Sequence, residues 1–202
     1  MPTPQPGIFA LGHRSLLHLQ LDLDPGSSAD DLRSAIARIG DLSAMVFGVS
    51  VVVGYAADVW ERLCPGTTPP LDRFTTRVGA DDHAVPAGQH DLWFFLQASA
   101  PDAVFDAARL VERELRGVAK VVEEWPAFTY QKSRDMTGFE DGTENPPLSE
   151  LPGVALVPAG PGPLSRMLDR MLGIDDGIRD RLTDFSHAVA SAWYYAPPLD
   201  AL

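Results

Sequence analysis

The sequence predicts an α+β fold, and three observations carry that expectation. Residues 15–23, "SLLHLQLDL", alternate apolar and polar side chains. Residues 44–54 and 90–99 are nearly continuous apolar runs rich in valine, leucine and phenylalanine. Two stretches with apolar residues at helical spacing fall between such segments. Hydrophobic residues make up 45% of the 202 positions and charged residues 22%, so a core of useful size can be buried.

The elements follow in order. In residues 15–23 Leu17, Leu19, Leu21 and Leu23 alternate with His18, Gln20 and Asp22, the period of a strand with one buried face. "GSSADDLRSAIARIG" reads as a helix: Ser28 and Asp31 have capping-box spacing, Leu32, Ile36 and Ile39 share a face, and Gly40 fits the stop. "AMVFGVSVVVG" is valine-rich and reads as a central strand buried on both faces. "YAADVWERL" suits one short helix. Residues 64–90 are rich in Pro, Gly, Thr and Asp and read as a long connection.

"HDLWFFLQAS" is a second buried strand. The helix after it opens with Pro101 and places Val104, Ala108, Val111 and Leu115 on one face. "AKVVEEWPAFTY" reads as a strand with a break at Pro126. Strand, helix, strand, then strand, helix, strand is the split βαβ, or ferredoxin-like, arrangement, and it would occupy residues 1–131. Residues 132–202 offer less: a short strand at Val154–Val157, a helix through Leu164, Met167, Leu168 and Met171 that extends or restarts to Phe185, and a final strand ending at Pro197. That is too little to close a second split βαβ sheet, so an incomplete second half is expected, packed on the first domain or on another chain.

Charge and cysteine usage exclude several functions. The formal net charge is -12, which repels phosphate, so a nucleic-acid partner is not expected. No run is long and apolar enough for a bilayer, and no basic head followed by an apolar block opens the chain. A cytoplasmic location and no membrane partner are the expectation. Cys64 is the single cysteine, which leaves no internal disulfide and little support for a thiolate metal site.

"MTGFEDGTENPP", residues 136–147, carries the densest chemistry. Three acids, two glycines, two threonines and an asparagine there suit either a surface turn or a reactive site, since Asp-Gly-Thr and Asn-Pro are turn-forming in any fold. The wider context favours the site. "GFEDGTENP", preceded by "QHDLWFFLQA", a helix and "VVEEWPAFTYQKSRDMT", resembles the dye-decolourising (DyP-type) haem peroxidases, as does the closing "LDRMLGIDDGIRDRLTDFSHAVASAWYYAPPL". The resemblance implies that Asp141 is the distal acid–base that moves a proton between the two oxygens of hydrogen peroxide, a task suited to a carboxylate. It implies that Gly138, Phe139, Gly142, Thr143, Glu144 and Asn145 line the haem pocket, with the glycines allowing close backbone approach.

The same resemblance implies parts that have no counterpart here. Working relatives carry, later in the second half, a histidine that ligates the iron and a distal arginine; this sequence passes from "VALVPAG" almost directly to the last helix. Of the five histidines, His18 is expected on the solvated side of the first strand, His13 and His83 in loops, and His90 at a strand start. His187 alone follows the loop, on a strand face shared with Phe185, Val189 and Trp193.

A peroxidase needs an axial donor, so the expectation is a DyP-type chain without haem, metal or peroxidase activity. It would act as a binding or assembly module, as a homo-oligomer or with a complementing protein, and a small-molecule ligand stays open. The alternative is a haem b peroxidase whose axial ligand comes from His187 or from a partner chain. A third reading has Asp141 and Glu144 sharing a divalent cation without iron.

Overall fold

The computed structural model describes residues 5–40, 46, 48–66, 73–79, 83–131, 134–140, 143 and 145–151. The chain divides into two compact units, one of residues 1–68, 90–141 and 194–202, the other of residues 69–89 and 142–193.

In the first unit the described elements run β1 (Ser15–Leu23), α1 (Ala29–Gly40), β2 (Val49–Tyr55), α2 (Ala57–Leu63), β5 (Leu92–Ala98), α3 (Pro101–Glu114) and β6 (Ala119–Phe128). The strands form one antiparallel sheet in the order β2-β5-β1-β6. That is the split βαβ order, and the mixed α+β expectation holds. The second unit contains a small hairpin of β3 (Arg77–Val78) and β4 (Ala84–Val85), inside the segment read as a connection. Both of its strands are exposed and two residues long, too short to leave a periodic signature.

The core lies between one face of the sheet and the helices. Leu19, Leu21, Leu92, Phe94 and Leu96 point into it from the strands, each at most 1% exposed. Leu32, Ile36 and Ile39 of α1 meet them, as do Val104, Ala107, Val111 and Leu115 from α3 and its C-cap. Each of these leucine, isoleucine, valine and phenylalanine side chains contributes about 1.5–3 kcal/mol by leaving water. Ala107 is fully buried where the sequence put Ala108, which is only partly buried. Both alanines lie near the helix stripe.

Local chemistry fixes the ends. The amide of Asp31 donates to Ser28 Oγ at 3.1 Å and the amide of Ser28 donates to Asp31 Oδ2 at 3.2 Å, the expected capping box. The Ser28 hydroxyl holds the Asp31 carboxyl below its ordinary pKa. Arg33 Nε donates to the carbonyl of Leu63 at 3.1 Å, which satisfies an orphan acceptor at the end of α2. Tyr55 is 1% exposed and its hydroxyl has no partner among the described residues. Burial first, and then Cys64, push its phenol well above the ordinary value.

The two sheet edges are managed differently. At β2 the side-chain amide of Gln5 acts as a surrogate strand: Nε2 donates to the Val53 carbonyl and Oε1 accepts from the Val53 amide, both at 2.8 Å. Gly7 follows in a 3-10 turn, Pro6–Phe9. A Cβ there would sit 2.6 Å from the Val51 carbonyl oxygen, so only glycine fits this approach. At the other edge, β6 runs through Pro126, opposite Leu17, with no break at that residue. A proline is tolerated where its missing N–H falls on a free edge. A register shift between Gln20 and Leu21, opposite Glu123 and Val121, interrupts the same ladder farther along.

Candidate functional site

The 130–140 segment of the first unit is built around Asp135. Isolated bridges join Tyr130 to Arg134 and Arg134 to Glu140. Asp135 Oδ1 accepts from the Thr137 amide at 2.8 Å, from the Thr137 hydroxyl, and from the Phe139 amide at 3.2 Å. Its own amide donates to the Phe139 carbonyl, and its carbonyl accepts from the Gly138 amide, each at 3.0 Å. Arg134 Nη1 donates to the Gly138 carbonyl at 2.9 Å. Gly138 sits at φ +94, a conformation glycine adopts without strain.

The knot presents apolar side chains to solvent on either side of Gly138: Met136 and Phe139 are each 75% exposed. Asp135 and Arg134 were missed in the sequence reading. The signal was present, because Asp followed two residues later by Thr and three later by Gly is the pattern of a side chain that bonds its own backbone.

Hydrogen bonds from Thr137 hold the Asp135 carboxyl below the usual carboxylate range. A depressed pKa gives stability that is complete above the unfolded carboxylate value and is lost as pH falls through the lower folded one. The amide of Phe139 is therefore expected to lose hydrogen-exchange protection in acid, and Asp135→Asn is expected to lose it already at neutral pH. Equal protection in both proteins across that range would refute the knot.

The other loop residues divide. Thr143 and Asn145 are exposed and belong to the second unit. There Glu150 and Leu151 donate to the carbonyls of Pro147 and Leu148, forming a short turn. Asp141, Gly142, Glu144 and His187 lie outside the described residues.

The histidines of the first unit are engaged within the sheet. His13 Nε2 lies 3.1 Å from Ser50 Oγ. His90 Nδ1 lies 2.8 Å from Asp22 Oδ1, and its Nε2 is 3.9 Å from Glu123 Oε1. His18 is half-buried rather than solvated as expected. It stacks on Phe95 at 4.5 Å and on Trp93 at 5.7 Å, and its Nδ1 accepts from Trp93 Nε1 at 3.2 Å. Burial lowers its pKa, so the neutral ring carries its proton on Nε2. His83, in the second unit, is exposed beside the hairpin. Among the described residues no cluster of three or more His, Cys, Asp or Glu side chains could hold a metal ion.

Comparison with known proteins places this architecture. The family model described as Dyp-type peroxidase, N-terminal, matches residues 24–129. A dye-decolorizing peroxidase of Rhodococcus erythropolis is 41% identical over 100 residues, which is 49% of this chain and 29% of that protein. One from Mycolicibacterium paratuberculosis is 33% identical over 153 residues, 71% of this chain and 42% of that one. Among solved structures, a DypB variant from Rhodococcus jostii in complex with heme is 30% identical with a TM-score of 0.69, covering 78% of this chain and 53% of that chain. The chain thus spans less than half the length of the curated relatives it matches. With the split βαβ sheet and the family model agreeing over residues 24–129, the chain belongs to the Dyp-type peroxidase family.

Proposed function

We propose that this chain is a haem-free member of the family that works as a binding and assembly module. The split βαβ sheet with its helices is the platform of that module. The observation that carries the reading is the sequence after the loop, and the first unit's histidines bear on it in part. His13, His18 and His90 are tied to Ser50, Trp93 and Asp22 by side-chain contacts. An axial ligand must offer iron an unshared nitrogen lone pair. On His18 the Nδ1 lone pair is taken by the Trp93 N–H. His13 Nδ1 has no hydrogen-bond partner among the described residues and His187 lies outside them, so the support for this reading is the sequence after the loop, where we find no counterpart of the ligand segment that the resemblance implies. We further propose a cytoplasmic location and association with a second copy or a complementing chain.

A second reading is favoured by one observation. The loop at 134–140 is held in a defined conformation by Asp135 and presents Phe139 to solvent. In that reading the chain presents Gly138, Phe139 and Asp141 to a haem whose iron is ligated by His187 or by a partner. When bound, the group would supply the redox chemistry with peroxide, while this chain's loop would cover one side of it and Asp141 would hold or pass a proton.

Visible spectroscopy separates the two. Protein purified from haem-supplemented cells is expected to show no Soret band and no peroxide-dependent dye oxidation. A strong Soret band that disappears in His187→Ala would overturn the haem-free reading.

A further inference from the structure

We draw no further inference here: the strongest candidate, the exposed apolar surface that Met136 and Phe139 make on the Asp135 knot, belongs to the site already described, and nothing in the structure shows what covers it.

Discussion

Phe94→Ala is expected to destabilise the first unit by about 3–5 kcal/mol, read as a fall in the denaturant midpoint at unchanged slope. Phe94 is 0% exposed at the centre of β5, the strand paired on both sides, to β1 through Leu19 and to β2 through Val53. Truncation removes a ring from between the sheet and the helices, and the fixed ladders on both sides prevent collapse into the space. Total domain stabilities are about 5–15 kcal/mol, so a loss of this size leaves a substantial unfolded fraction. Phe105 provides the contrast: it is 62% exposed on α3, and Phe105→Ala is expected to move the midpoint little. Comparable losses in the two variants would mean that the core does not lie where the sheet and helices put it.

The fold was legible where one residue type controls its own neighbourhood. The β1 alternation, the Ser28–Asp31 box and Pro101 opening α3 each act within a few residues, and each appears as expected. What escaped depends on partners far along the chain. Alternation put His18 on the face away from the core, correctly, but could not show that Trp93, 75 residues later, would stack on it and turn a solvated ring into a half-buried one. Pro126 looked like a break because the sequence does not say which strand will be an edge. In the candidate site the glycine-acid pattern pointed to the loop, while the residue that shapes its described part, Asp135, stood just ahead of the quoted motif. Its local Asp-x-Thr-Gly signal was readable and went unread because attention fell on Asp141, which resemblance rather than turn chemistry had singled out.

Gln5→Ala is expected to cost about 2–4 kcal/mol, because it leaves the Val53 amide and carbonyl unpaired inside the protein. Gln5 is 1% exposed and Val53 likewise 1%, so water has no ready access to replace the lost bonds. The clamp also anchors the 3-10 turn, whose Gly7 carbonyl accepts from Gln97 Nε2 at 2.9 Å on the neighbouring strand. Removing Gln5 therefore loosens contacts on both β2 and β5. A second consequence is kinetic. With its amide surrogate gone, β2 presents a valine-rich edge, the kind of strand that pairs with other copies. Light scattering during refolding is expected to rise in Gln5→Ala and to stay low in Gln5→Asn only if the shorter amide still reaches Val53. The sharpest readout is exchange of the Val53 amide: protection that survives in Gln5→Ala would show that another group closes this edge and that the side-chain clamp is not what terminates the sheet.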